Sequence, residues 1–353
     1  MRITGNKGEW SELYVFLYLL GTGRLYAADE NLHRIDSMFF PVLKALRTDQ
    51  HRDMVFSIDD DTNVEITIND QHFKTVSGQI LKNYANDIYK KIVDGGDRSF
   101  EIEEGSIVME KLGLTTIKAP SFDKTDLTLQ IHDVQTGYQP VVGFSIKSHI
   151  GGLPTLLNAS GATNFQYECP LITQQAQMDH INSINTHNKI IDRIAAIGTL
   201  GRGRVKNDTF RRNLLFIDSM MEDILSEALK IHYTENIKSV AEVTEMLEQL
   251  DPIGYKIDGI YVHKMKKFLC AVALGLTPSN EWDGRDESNG GYIIATSDGD
   301  VLAFHIYNRD YFEEYLYKHT KFERASVTRH GYASIYVENG HRYVDLNLQI
   351  RFC

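Results

Sequence analysis

A lysine that closes an apolar run and is followed at once by glycines and small polar residues constrains this chain most: residues 144–165 read FSIKSHIGGLPTLLNASGATNF. Residues 141–146 (VVGFSI) are apolar and β-branched enough for a central strand, and Lys147 falls where that strand ends. An ammonium there needs an anionic partner, because an unpaired buried charge is costly. A structural carboxylate and a substrate phosphate both meet that need. Upstream, Leu127, Leu129 and Ile131 alternate with Thr128, Gln130 and His132, the pattern of a strand with one apolar face, opened by Asp126. Gly137 and Pro140 supply turn chemistry between the two runs. Paired as a hairpin, the strands would bring Asp126 and Lys147 near each other.

An Asp, a turn and Ser-x-Lys resemble the phosphodiester site of the PD-(D/E)XK nucleases. The resemblance implies that Asp126 and the backbone carbonyl of Ile146 bind Mg²⁺, and that Lys147 positions or activates the attacking water. Ser145 stands where that family usually has a second carboxylate, so the missing negative charge must come from elsewhere. The N-terminus offers a replacement. GNKGEWSE (residues 5–12) enters a segment with Leu13, Phe16, Leu17 and Leu20 at helical spacing, ending at Gly21 or Gly23. Glu9 and Glu12 lie one turn apart on it. The first core helix of these nucleases carries a metal-reaching Glu, and the distance to the helix-ending glycine favours Glu12 over Glu9. The alternative is a pair of solvated first-turn acids favoured by the helix dipole.

Taken in order, GNKGEWSE, KTDLTLQI (residues 124–131) and the 144–165 run resemble the HpaII family of type II restriction endonucleases. The likeness runs along most of the chain, with its strong motifs in the first helix and in residues 124–165. It implies an α/β (α+β) fold of PD-(D/E)XK type, with a mixed central sheet flanked by helices. It also implies Mg²⁺-dependent cleavage of double-stranded DNA at a short palindrome, CCGG for the founding member. Catalysis would fall to Glu12, Asp126 and Lys147, and the metal to Glu12, Asp126 and Ile146. A homodimer on DNA and a companion cytosine methyltransferase are the partners expected. Two other classes stay open: a structure-specific repair or recombination nuclease, and a non-catalytic DNA-binding protein descended from a nuclease, which would account for Ser145.

The formal net charge of −11 looks wrong for a DNA binder, since phosphate neutralisation requires Lys and Arg. The acid is concentrated, however, in residues 59–61, 101–104 and 242–251. Between Lys189 and Arg212 the chain carries Arg193, Arg202, Arg204, Lys206 and Arg211 against only Asp192 and Asp208. A second basic group runs through Lys318, Lys321, Arg324 and Arg329. An acidic exterior with a basic cleft suits an enzyme that must ignore most DNA. Ordinary solvated faces are the alternative reading of both runs. Cys169, Cys270 and Cys353 form no C-x-x-C and indicate neither a disulfide framework nor a zinc ribbon. The longest apolar runs are too short to span a bilayer, and no secretory signal follows Met1-Arg2, so a cytoplasmic location with no membrane partner is expected.

Base reading is expected from Ser148, Thr155, Asn158, Ser160, Thr163, Asn164 and Gln166, whose side chains both donate and accept just beyond the lysine. Guanine O6 and N7 most often meet Arg, which adds Arg202, Arg204, Arg211 and Arg212. The organisation expected is a first core helix (1–30), an inserted subdomain (31–118), a catalytic core with the DNA-reading segment (119–255) and a strand-rich C-terminal part (256–353). Residues 31–47, 75–93, 178–197, 210–231 and 240–250 have helical spacing, with a strand pair near Val64–Ile68 and Phe73. Gly259-Ile260-Tyr261 is half of a GIY-YIG motif without its second half, and reads as a strand fragment. GTLGRG (residues 198–203) lacks the preceding strand and downstream acid of a dinucleotide site, and reads as a basic loop.

Overall fold

The computed structural model describes residues 3–96, 98–118, 125–134, 136–305 and 308–353. It divides into two compact units, Met1–Pro154 with Asp286–Tyr315, and Thr155–Arg285 with Leu316–Cys353. The first unit is built on a mixed nine-stranded sheet. Its strands run in the order Arg24–Ala28, Val301–His305, Gly291–Ala295, Val141–Ser148, Leu127–Ile131, Arg34–Asp49, Arg52–Ile58, Asn63–Ile68 and Gln71–Ser77. The segment 31–118 thus contributes four of its strands to this same sheet.

The hairpin anticipated from the alternating run is present. Leu127 pairs with Phe144 and Leu129 with Val142 in antiparallel register. Gly291–Ala295 runs parallel along the other edge of Val141–Ser148, with Ile294 opposite Lys147. A strand paired on both edges and covered by helices reads as a continuous apolar run, which is why residues 141–146 do not alternate.

Helix α1 (Lys7–Thr22) begins with a reciprocal cap: the Asn6 side chain accepts from Glu9 N at 3.0 Å, and Glu9 Oε2 accepts from Asn6 N at 2.8 Å. Gly23 ends it in the left-handed conformation, φ 64°, donating to Leu19 O. Gly21 serves a different purpose. A Cβ there would come within 2.7 Å of Lys82 N on helix α2 (Gly78–Asp94), so the two helices touch backbone to backbone. Trp10, Leu13, Phe16, Leu17 and Leu20 are all buried, as expected of a helix packed against both a sheet and another helix.

The helix expected over residues 31–47 is instead the sixteen-residue strand Arg34–Asp49. Pro41 decides the matter: it has no N–H for a helix, and it biases Phe40 towards extended backbone. The strand changes partner near the proline. Its first half pairs with Arg24–Ala28, its second half with Leu127–Ile131, and the register shifts between Val42 and Lys44.

The second unit contains one three-stranded and one four-stranded sheet with helices. The run 178–197 forms two helices, Gln175–Ser183 and Lys189–Ile197. They are separated where Asn, Ser, Thr and His side chains compete for backbone hydrogen bonds. Residues 210–231 also divide, into Asp208–Ile217 and Met221–Thr234, with Asp218 accepting from Met220 N at the break. Gly259-Ile260-Tyr261 opens the helix Ile260–Leu274 and is no strand fragment. The part from residue 256 onward therefore carries helices as well as strands. Ser297-Asp298-Gly299 and Glu338-Asn339-Gly340, turn sequences expected within Tyr292–Ile306 and Ala333–Ile350, join hairpins, Gly291–Ala295 with Val301–His305 and Ile335–Glu338 with His341–Asn347. Ile306, the expected end of the first of these, lies outside the described residues. No described helix is long and apolar enough to cross a membrane.

Candidate functional site

The hairpin register places Asp126 at the mouth of the two strands. Its backbone N–H donates to Phe144 O at 3.0 Å, continuing the ladder by one step beyond Leu127. Its Oδ2 accepts from Ile146 N at 2.8 Å and from Ser145 Oγ at 3.2 Å. Ser145 thus holds the carboxylate that a second acid would have accompanied. In extended backbone the N–H and C=O of one residue point to the same side, so the Ile146 carbonyl is directed to the Asp126 side of the strand. Lys147 follows, half-buried, with no ion pair among the described residues. Asp123 and Lys124 of the same motif lie outside the described residues.

Helix α1 brings Glu12 to this place, while Glu9 is occupied in the helix cap. Burial, and next the charge of Asp126, push the Glu12 carboxyl up from 4.5 to about 7, against the opposing pull of Lys118, Lys147 and Arg47. Its Oε2 is buried without a hydrogen-bond partner among the described residues, an expensive condition for an acid unless something else completes it. Glu12, Asp126, Thr125 and Thr128 line a cavity of about 510 Å³ together with Arg47, His51, Thr116 and Lys118. Lys147 is not part of that lining, although its charge reaches Glu12. No group of three or more His, Cys, Asp or Glu gathers for a metal among the described residues. What is gathered is two carboxylates, a backbone carbonyl and a serine.

Sequence reasoning missed Arg47, Asp49 and Lys118. Asp49 is fully buried and accepts from Thr115 N at 2.6 Å, Thr115 Oγ1 at 2.8 Å and Thr116 Oγ1 at 2.9 Å. Desolvation raises its pKa, but these bonds and the charge of Arg47 outweigh it and hold the carboxyl below its ordinary value. Nothing local in the sequence marks them, because they depend on residues 113–118 returning to the strand Arg34–Asp49.

The expected DNA readers have mixed surroundings. Ser148 accepts from Ile150 N, and Thr155 opens a strand paired with Ile350–Phe352. Thr163 and Asn164 are buried and bonded internally: Asn347 Nδ2 donates to Ser160 O, Thr163 Oγ1 and Asn164 Oδ1, and Asn164 Nδ2 donates to His330 O. Gln166 donates to Tyr336 Oη and Glu338 Oε2, both at 2.7 Å. Arg202 forms a two-pronged pair with Asp223 at 2.7 and 2.6 Å, and Arg211 pairs with Asp208. Arg212 donates to Trp282 O and lies over the Phe216 ring. Asn158 and Arg204 are exposed, and Arg204 has no side-chain partner among the described residues. The glycine-rich loop is a packing device: Gly203 N donates to Ser226 Oγ, and a Cβ there would strike Tyr167 at 2.3 Å.

Comparison with known proteins bears on the whole chain. The model of the HpaII restriction endonuclease family matches residues 6–352. A curated relative, the type II restriction enzyme HpaII of Haemophilus parainfluenzae, is 36% identical over 355 aligned positions, covering 99% of this chain and 98% of the relative. No solved structure matches. A match of that extent, spanning both compact units, shows that the chain belongs to the HpaII restriction endonuclease family.

Proposed function

We propose that the chain is a Mg²⁺-dependent type II restriction endonuclease of PD-(D/E)XK type, hydrolysing phosphodiester bonds of double-stranded DNA at a short palindrome, CCGG. The observation that carries this reading is the Asp126 carboxylate, held on Ser145 and Ile146 N, beside the buried and unpartnered oxygen of Glu12. Glu12, Asp126 and the Ile146 carbonyl are hard oxygen donors. So sparse a set suits Mg²⁺, which retains several of its waters. When bound, the ion supplies Lewis-acid stabilisation of phosphoryl charge and lowers the pKa of a nearby water.

The chain's own groups do the rest. Ser145 fixes the Asp126 carboxylate, and Asp126 and Glu12 supply the negative charge. Lys147, half-buried and without an ion pair among the described residues, orients the attacking water and stabilises charge on the phosphate. Arg204 and Asn158, exposed in the second unit, lead the residues proposed to read DNA, with Ser148, Thr155, Gln166, Arg211 and Arg212 behind them. Ser160, Thr163, Asn164 and Arg202 complete the proposed readers and stand last, since Thr163, Asn164 and Arg202 would have to give up bonds inside the protein. A palindrome has two-fold symmetry and one such site cuts one strand, so two chains would act together on one DNA site in the cytoplasm. A companion cytosine methyltransferase would protect the host sequence.

Asp126→Ala tests the reading. Cleavage of a CCGG-containing plasmid should fall by a factor on the order of 10² to 10³, while DNA binding in Ca²⁺ persists. Near-normal cleavage would sink the site. Cleavage by the unaltered chain that follows DNA structure and ignores sequence would favour a repair or recombination nuclease, and absence of any metal-dependent nicking would favour a non-catalytic DNA-binding protein.

A further inference from the structure

The cavity beside Glu12 contains a cation that this mechanism does not use. Lys118 Nζ lies 3.8 Å from Glu12 Oε1, with the Lys118 side chain 48% exposed and that of Glu12 only 17%. The segment leading to it is tied down. Asp49 holds Thr115 and Thr116, Arg52 bridges Asp49 and Gly113 O at 2.9 Å each, and Arg47 donates to Ile117 O at 3.0 Å. A half-exposed ion pair contributes little to stability by itself, so its value as a strut does not account for this anchoring.

We propose that Lys118 is a resident counter-ion of the site: in the metal-free protein its ammonium pairs with Glu12 wherever that carboxyl is ionised, and it must be displaced by the divalent cation. The anchored segment keeps the ammonium within reach, and its exposure lets it swing into water when a stronger charge arrives. Two carboxylates side by side would otherwise take up any cation. With Lys118 present, the incoming ion must overcome an existing attraction and a like charge nearby. Lys118 thereby sets the cation concentration at which the site fills. The inference rests on Glu12 being a cation ligand.

The test is Mn²⁺ binding to the full chain without DNA, followed by electron paramagnetic resonance. Lys118→Met should bind Mn²⁺ about fivefold more tightly. Lys118→Arg, which restores the charge, should return to the original affinity. In a Glu12→Gln background the gain from Lys118→Met should vanish. Unchanged or weaker Mn²⁺ binding by Lys118→Met, with Glu12→Gln still lowering affinity, would overturn the counter-ion role. If Glu12→Gln itself leaves Mn²⁺ binding unchanged, the ligand assignment of Glu12 fails instead.

Discussion

Charged groups are treated in opposite ways by the hairpin site of the first unit and the basic stretch of the second. Around the hairpin of the first, Glu12 keeps a buried oxygen without a partner and Lys147 has no ion pair among the described residues. In the second, the basic stretch is largely paired off. Arg193 is buried and donates to Asn182 O, Ile184 O and Ala333 O, Arg202 is clamped by Asp223, and Lys206 by Asp345 at 2.8 Å. Groups whose bonding is complete hold a fold together. Groups left incomplete at a cost persist where a ligand completes them.

Lys147 offers the largest break of this contrast. Lys147→Ala should reduce cleavage by a factor on the order of 10² to 10³ and leave the melting temperature unchanged, because the lysine has no ion pair to lose among the described residues. A large drop in melting temperature would show that it is structural, like Arg193, and would end the contrast. The same variant reports on the two-chain arrangement. Mixed in excess with active chain, it should make nicked circles the main early product, whereas independent monomers would go on linearising plasmid.

The contrast also explains what was legible in the sequence. The meeting of Asp126 with Ser145 and Ile146 could be anticipated because a hairpin obeys a two-residue period and its register follows from the apolar face. Glu12, favoured over Glu9 by its distance from the glycine that ends the helix, lines a cavity with Asp126, and Glu9 is engaged in the cap with Asn6. Lys118, Arg47 and Asp49 could not be read, since their meeting depends on the path of residues 113–118 in three dimensions. The internal bonds of Thr163, Asn164 and Arg202 were not legible for the complementary reason. A polar residue destined for an internal bond looks, in sequence, the same as one destined for DNA. The strand Arg34–Asp49 reads as a helix in sequence because its apolar residues fall at helical spacing, and Pro41 is the residue that speaks against it.

Acid and base separate the units next. The Glu12 carboxyl has a folded pKa of about 7 against an ordinary 4.5, so the folded, metal-free protein holds a proton that the unfolded chain releases. The stability this contributes is full below 4.5 and is lost as pH rises through about 7. Glu12→Gln should therefore raise the metal-free melting temperature above pH 7, by the equivalent of roughly 2 to 3 kcal/mol, with the two proteins converging near pH 4.5. His232 of the second unit runs the other way. Burial lowers its pKa from 6.5 to about 4, so its contribution is full above 6.5 and is lost as pH falls through about 4. Melting curves of Glu12→Gln parallel to those of the unaltered chain at every pH would show that Glu12 bears no such strain.

The smallest effect probes the exception within the second unit. Arg202 and Arg204 are two residues apart in one basic run, and sequence alone ranks them equally. Arg202 spends both prongs of its guanidinium on Asp223, whereas Arg204, opposite Gln166 in the strand ladder, is exposed and unpaired among the described residues. A guanidinium already engaged must give up a good pair before it can reach a base, and an unengaged one gives up only water. Arg204→Ala should weaken binding to CCGG DNA in Ca²⁺ by about 1 to 3 kcal/mol and relax discrimination at one base pair. Arg202→Ala should leave that affinity unchanged. A uniform loss across sequences with a shallower salt dependence would make Arg204 a phosphate contact, and equal losses from both variants would show that pairing inside the protein does not predict which arginine meets DNA.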